Sequence, residues 1–427
     1  MFEQDVVIVG SGCTGIFLAQ EIAHHGLRCL VLHERPAAKF SSTRNQGWLQ
    51  SGALYACIGD RKAAAECRAG HQYVSEAYPE VVHSDIPSYF LFNTKDELDS
   101  ALARCAKDSL DVRKLSASER RGMCEKNPIL SRMPHPDYVA ATRDRPADTH
   151  LLLQKVAASA MRKGVRYCEV DSVADINALK EPGGWRVGLQ ADGVEITCKC
   201  LVLACGVYIN KMLAGILDDG HPALPLTKIP VLILKSDATR VSNSSLIMPF
   251  KGAPNVVPFR RGQEYGVSVC LMGKDVEIKT ADDDGLPSWA NEVHAKALED
   301  FLPGMKKLVT DHRVTAHFYV CQKIRTGTRG SFLEYQEDWP DGDRRLLVTF
   351  YPGKFTSSPV SAQRCAREIS ARLGFTTVVP PIADQLYFEA STLRVKFEND
   401  RLGFEPRREW ESYQGSGEVP DVRNSQY

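Results

Sequence analysis

Two hydrophobic rhythms alternate along this chain. Val6-Val7-Ile8-Val9 is a short, unbroken, β-branched run, and after a glycine-marked turn Ile16, Phe17, Leu18, Ile22 and Ala23 recur at helical spacing. The first pattern predicts a strand buried on both faces, the second a helix packed on it. Cys29-Leu30-Val31-Leu32 repeats the strand pattern. Further on, 60–78, 95–107 and 151–163 carry apolar stripes at helical spacing, with Pro79 and Gly164 as stop signals. Strands are predicted at 86–92, 165–169, 173–176 and 201–204, with a hairpin of 185–189 and 195–198 around Gly193. Residues 123–145, broken by three prolines, are predicted as loop.

From 224 to 271 the runs are short and β-rich (229–235, 245–248, 255–259 and 265–271), each ended by turn residues, which predicts an antiparallel sheet. A helical stretch spans 288–308. Strands follow at 314–320 and 346–350, the latter running into Pro352-Gly353-Lys354-Phe355-Thr356 and a hydroxyl-rich helix start. The expected class is therefore α/β: a Rossmann-like dinucleotide-binding domain with an interleaved antiparallel-sheet α+β substrate domain. The boundaries fall at 1–60, 140–222 and 318–380 for the first and 61–139 and 223–317 for the second. Residues 381–427 form a C-terminal extension, partly flexible, whose end is rich in charge, Gly and Ser. At 427 residues the chain exceeds the ~250–300 of a single core, which agrees with two domains.

The turn between the first strand and helix carries the chemistry. In Gly10-Ser11-Gly12-Cys13-Thr14-Gly15, Gly10 permits a tight turn, Gly12 lets backbone amides approach a pyrophosphate, and Gly15 lets helix and strand lie close. Glu34 closes the second strand at about the ~20-residue distance expected of a ribose-binding acid. Composition narrows the partners. Lys and Arg (53) balance Asp and Glu (53), which removes the electrostatic case for nucleic acid and leaves a small solute as the expected ligand. Thirteen cysteines, an odd number scattered over predicted strands and helices, read as reduced core thiols of a cytoplasmic protein. No second pair completes a metal site with Cys198 and Cys200, so no metal is expected. No apolar run approaches the ~18 residues of a membrane span.

The stretch after Glu34-Arg35 is too polar and glycine-marked for regular structure: Ser41-Ser42-Thr43-Arg44-Asn45-Gln46-Gly47-Trp48-Leu49-Gln50-Ser51-Gly52-Ala53-Leu54-Tyr55. With the glycine turn, it resembles the glycine-oxidase and D-amino-acid-oxidase superfamily of FAD enzymes. Within that superfamily it is most similar to the branch of L-2-hydroxyglutarate dehydrogenases and flavin-dependent glycerol-3-phosphate dehydrogenases. Leu201-Val202-Leu203-Ala204-Cys205-Gly206 is similar to the strand that closes the FAD domain, and Gly353-Lys354-Phe355-Thr356 to a glycine-lysine element of the glycerol-3-phosphate dehydrogenases.

The resemblance implies FAD held by Gly10, Gly12, Cys13, Thr14, Gly15, Glu34, Arg35, Ser42, Thr43, Arg44, Asn45, Gln46, Gly47, Gln50, Ser51, Val173, Cys205, Gly206, Gly353, Lys354, Phe355 and Thr356. Many relatives carry histidine at the place of Gln50, and several superfamily members tether FAD through a nearby histidine. An amide cannot form that bond, so dissociable, non-covalent FAD is expected.

No second glycine fingerprint serves NAD(P)H, so the substrate itself is the expected electron donor. The implied reaction is oxidation of a small anionic substrate, a 2-hydroxy acid or polyol phosphate, by hydride transfer to flavin N5. Electrons then pass to oxygen or a quinone-type acceptor. Arg325, with Arg329 behind it, and Lys354 are the candidate grips for the anion. His317 and Tyr319, two residues apart and so on one strand face, are candidates to take a hydroxyl proton. Two alternatives stay open: an amine or amino-acid oxidase of the same fold, and a non-catalytic FAD-binding partner protein.

Overall fold

The structure, a computed structural model, describes residues 2–34, 37–38, 41–127, 129–130, 136–173, 176–189, 194–217, 223–236, 242–261, 264–303, 315–325, 332–338 and 344–375. Arg35, Arg329 and the extension 381–427 lie outside these residues. Two large sheets organise the rest. Strand β1 (Phe2–Val9) runs parallel to β2 (Cys29–His33) on one side and to the strand Val194–Leu203 on the other. Parallel strands Arg166–Glu169 and Arg344–Phe350 continue the order outward, and Phe332–Asp338 adds an antiparallel edge.

The unbroken apolar run of β1 is explained by cover on both faces. Val6 and Ile8 pack with helix α1 (Cys13–His24) and the helices Thr149–Arg162 and Ser358–Arg372, while Val7 and Val9 pack with Trp185, Val187 and Met212. All four are fully buried.

The second sheet has nine strands. Its centre is antiparallel: Leu226–Ser236 lies between Thr315–Ile324 and Glu264–Leu271, and Pro254–Arg261 follows. Ser88–Phe92 and Tyr138–Thr142 extend the other end. One face packs on the helices Ala117–Lys126 and Ala290–Phe301. Half of the opposite face, around Phe90, Ile247 and Val257, is covered by Ala53–Cys57, Arg61–Ala77 and Lys95–Lys107. The remaining part, Ile229, Val231, Ile233 and Cys321 with Phe259, Cys270 and Tyr319, is a small separate cluster.

Three sequence expectations need correction. The strand expected at 173–176 begins only at Ile176 and runs to Glu181; Val173 lies outside it, because its amide is taken by Glu34 instead of a ladder. The strands expected at 195–198 and 201–204 are one, Val194–Leu203, since the same residues pair antiparallel with Gly184–Leu189 at one end and parallel with β1 throughout. The expected loop 123–145 contains the strand Tyr138–Thr142, whose small Ala140 and Ala141 pair with Phe90 and Tyr89. Thr315–Ile324 runs wholly in the nine-stranded sheet.

Candidate active site

The glycine turn has the geometry its residue types demand. Gly10 sits at φ +110°, and a Cβ there would stand 2.6 Å from the Ala204 carbonyl oxygen. A Cβ on Gly15 would stand 1.9 Å from the Gly10 carbonyl oxygen, so helix and turn can touch only without side chains. The first turn of α1 carries no acid, and the helix begins where β1 ends.

The N-terminus of the helix Ser358–Arg372 meets it there: Cys13 Sγ and Ser358 Oγ lie 3.5 Å apart. Two helix N-termini at one point give an anion two positive dipole ends. Ser42 joins them, its Oγ accepting from the Cys13 N–H at 2.8 Å. A diphosphate fits this cradle, because Gly12 has only the Ser42 hydroxyl within reach of a Cβ.

Glu34 stands at the end of β2. One carboxylate oxygen accepts from the Val173 N–H (2.9 Å) and the Ser172 hydroxyl (3.2 Å). Its charge, after burial, helps hold the neighbouring Cys205 thiol up at about 12. The acid, Val173 and Cys205-Gly206 are therefore one locus, with Gly206 at φ +58°.

The polar segment 41–52 is strapped to both halves of the molecule. Toward the eight-stranded sheet, Gln50 N–H donates to Thr356 Oγ1 (3.2 Å) and Ala147 N–H to the Gly47 carbonyl (2.7 Å). Ser51 N–H donates to Asp144 Oδ1 at 2.6 Å. Toward the nine-stranded sheet, Tyr319 Oη–H donates to the Asn45 carbonyl (2.8 Å), Gln46 Nε2–H to the Asn255 carbonyl (3.0 Å), and Ser268 Oγ–H to the Gln46 carbonyl (3.0 Å). Ser41 donates to the Gln322 carbonyl. Asn45 closes the turn internally, receiving the Gly47 N–H and donating to Ser42 O, and Thr43 Oγ1 donates to Ala38 O (2.7 Å).

Alternation along the sheet then fixes what faces this strap. Tyr319 stands opposite Val231, which stands opposite Cys270; Cys321 stands opposite Ile229, and His317 opposite Ile233. Three cations and the carboxylate of Asp275 act on the two thiols of this apolar patch. Burial pushes the Cys270 thiol up to about 12 against the opposing pull of Lys323 and Lys354. Burial likewise raises Cys321 against Lys323 and Arg44. Lys323 is paired with Asp275 at 3.0 Å, and Lys354 Nζ stands 5.2 Å over the Tyr55 ring. Gly353, at φ +74°, turns the chain so that Ser357 and Ser358 hydroxyls donate to the Lys354 carbonyl, and Phe355 packs into the core under α1.

The sequence-predicted residues thus meet in pairs: Cys13 with Ser42, Glu34 with Val173, Gln50 with Thr356, Asn45 with Tyr319. His317 is exposed, its pKa held below the usual range by partial burial of the ring and then by Lys235. Arg325 is exposed at the end of its strand, its N–H bonded to Pro225 O, and is not part of the strap.

Four residues escaped sequence reasoning. Asp144 is wholly buried, and burial raises it to about 6 despite its bonds to Ser51. A Cβ on Gly70 would stand 1.8 Å from the Thr356 carbonyl oxygen, so the helix Arg61–Ala77 supports the Lys354–Thr356 turn through a bare backbone. A glycine inside an otherwise alanine-rich helix was the available signal. Tyr55 ended the polar 41–55 stretch without being assigned a role, and Cys270 carried no signal.

Among the described residues no helix is long and apolar enough to cross a membrane, and no group of acidic, His or Cys side chains could hold a metal ion. The structure is similar to L-alpha-glycerophosphate oxidase from Mycoplasma pneumoniae (TM-score 0.66, 16% identity, 86% of this chain and 95% of that one). It is also similar to glycine oxidase from Geobacillus kaustophilus (TM-score 0.62, 14% identity, 87% and 95%).

By sequence it resembles an anaerobic glycerol-3-phosphate dehydrogenase chain of Haemophilus influenzae, 30% identical over 44% of this chain and 32% of that protein. It also resembles an anaerobic glycerol-3-phosphate dehydrogenase chain of Haloferax volcanii, 22% identical over 86% and 64%. The matches therefore span from about a third to just under two thirds of these curated relatives. Residues 5–367 match the DAO family, described as FAD dependent oxidoreductase, and the chain belongs to that family of FAD enzymes.

Proposed function

We propose that this enzyme oxidises a small anionic alcohol, a polyol phosphate before a 2-hydroxy acid. The observation that carries the reading is the convergence of Arg44, Lys323 and Lys354 on the Cys270–Cys321 face, where Lys323 is paired with Asp275. Such a cluster favours a dianionic phosphate over a neutral or cationic amine. The names of the Haemophilus and Mycoplasma relatives point the same way. FAD, held without a covalent bond beside Gln50, supplies a two-electron acceptor when bound.

The chain's own residues do the rest. Lys354 and Arg44 bind the anion. Ile229, Val231 and Ile233 exclude water from the reacting carbon. Tyr319 keeps the strap in register through Asn45, and His317, its pKa held below the usual range by partial burial, accepts the hydroxyl proton. Electrons leave to oxygen or a quinone-type acceptor.

The test is anaerobic titration of the purified holoenzyme with sn-glycerol 3-phosphate, 2-hydroxyglutarate, glycine and proline, following the oxidised flavin band. Bleaching by glycerol 3-phosphate alone is expected. Bleaching by the amino acids alone would replace this reading with the amine-oxidase one. A flavin that none of them bleaches would point to the non-catalytic partner reading.

A further inference from the structure

The helix Ala53–Cys57 follows directly on the strap, and its last residue touches a second cysteine. Cys57 Sγ and Cys105 Sγ lie 3.9 Å apart, although 48 positions separate them in the chain. Cys105, on the helix Lys95–Lys107, is wholly buried and donates to the Ala53 carbonyl at the other end of the short helix (3.8 Å). Cys57 is half-buried and is followed by Ile58, which is 48% exposed, so small solutes reach this end of the pair. Arg104 Nη1 donates to the Cys57 carbonyl at 2.5 Å and holds the two helices together at that point.

We infer that Cys57 and Cys105 are a disulfide-forming modification site that takes hydrogen peroxide or a related hydroperoxide as oxidant. A disulfide needs sulfurs at about 2.05 Å, so the pair must close by roughly 2 Å, within reach of side-chain rotation and a small helix shift. In the reaction one sulfur takes a hydroxyl from the peroxide as the O–O bond breaks and water leaves. The second sulfur then displaces that hydroxyl as a second water. Two thiols and one peroxide give one disulfide and two waters, with the electron pair passing from sulfur to oxygen.

The contact between the thiols assists the step. Cys57 is pushed up by its hydrogen bond to Cys105 and by burial, while the same bond holds Cys105 below the usual thiol range, so the two sulfurs are coupled through one hydrogen bond.

The bond would act on the site two residues away. Tyr55 shares the five-residue helix with Cys57, is 2% exposed, and lies under Lys354. The helix has little slack at its start, where a Cβ on Gly52 would stand 2.3 Å from the Ala64 carbonyl oxygen. Drawing Cys57 toward Cys105 therefore turns the Tyr55 ring relative to the Lys354 ammonium.

The experiment treats FAD-loaded full-length protein with hydrogen peroxide, removes the peroxide, unfolds the protein in guanidinium chloride with iodoacetamide to block every remaining thiol, and compares intact mass and non-reducing peptide maps before and after dithiothreitol. The expected result is two fewer alkylated thiols of the thirteen in the chain, a cross-linked peptide joining the regions of 57 and 105, and full reversal by dithiothreitol. Cys57→Ser and Cys105→Ser should each retain the flavin spectrum and lose the cross-link. Thirteen alkylated thiols after treatment, or a cross-link that spares these two, would overturn the assignment. The readout does not involve substrate turnover, so it stands or falls apart from the proposed reaction.

Discussion

The Gly10–Gly15 turn and the sheet face behind Tyr319 are assembled in opposite ways. The turn is a run of six consecutive residues, and its two close approaches, Gly10 to Ala204 and Gly15 to Gly10, leave no room for a single added carbon. The face draws Arg44, Val231, Cys270, Tyr319, Lys323 and Lys354 from five separate segments. A locally encoded site is rigid and intolerant, whereas one spread over several strands can change its ligand one residue at a time while the fold persists. The cofactor end should therefore fail abruptly on substitution and the substrate end by degrees.

The largest effect expected is at the turn. Gly15→Ala forces a Cβ into the Gly10 carbonyl, and a loss of about 4 kcal/mol or more in stability, with no recoverable flavin, should appear in urea unfolding and in the visible spectrum. A well-folded yellow Gly15→Ala protein would erase the contrast.

Next comes Lys354→Met, which removes a cation from the face and leaves the core intact. The KM for an anionic substrate should rise by about 100-fold while the FAD spectrum stays close to that of the wild type.

Asp144 sharpens the comparison, because it is a titrating group under the strap. Its pKa is raised to about 6 in the folded chain, above the ~3.9 of an unfolded aspartate. Between those values the native state binds the extra proton, so this residue makes stability fall as pH rises from about 4 to 6, by about 2–3 kcal/mol, with no further change above. Asp144→Asn should lack that fall, and the difference between the two unfolding profiles measures it. Identical slopes would mean that the carboxyl titrates normally.

The smallest effect belongs to Tyr319→Phe. Losing one hydrogen bond to the Asn45 carbonyl should cost about 1 kcal/mol, seen as a several-fold rise in the FAD dissociation constant.

What could be read in the sequence divides along the same line. The turn, the acid at Glu34 and the 41–52 and 353–356 elements were legible because strand-turn-helix signals and residue types act over short range. So was the shared side of His317 and Tyr319, which follows from strand alternation alone. The face was not, because register decides it. That Cys270 and Tyr319 flank Val231 depends on three strands pairing as they do, and none of them carries a local mark of its neighbour. The reading of Val173 as the start of a strand failed for a related reason: Val173 is apolar and buried, yet its amide is used by Glu34, 139 positions away.

The position of β1 also has a consequence for how the chain is made. It is synthesised before both of its neighbours, one of which is the strand Val194–Leu203, whose own outer partner is Arg344–Phe350. At about 5–20 residues per second, β1 waits on the order of ten seconds or more for that neighbour to be synthesised, with β2 alone at its edge. Val6 to Val9, sealed on both faces in the finished protein, spend that interval as an open apolar edge. Nascent chains arrested short of residue 194 should therefore depend on chaperones more heavily than those arrested beyond 350.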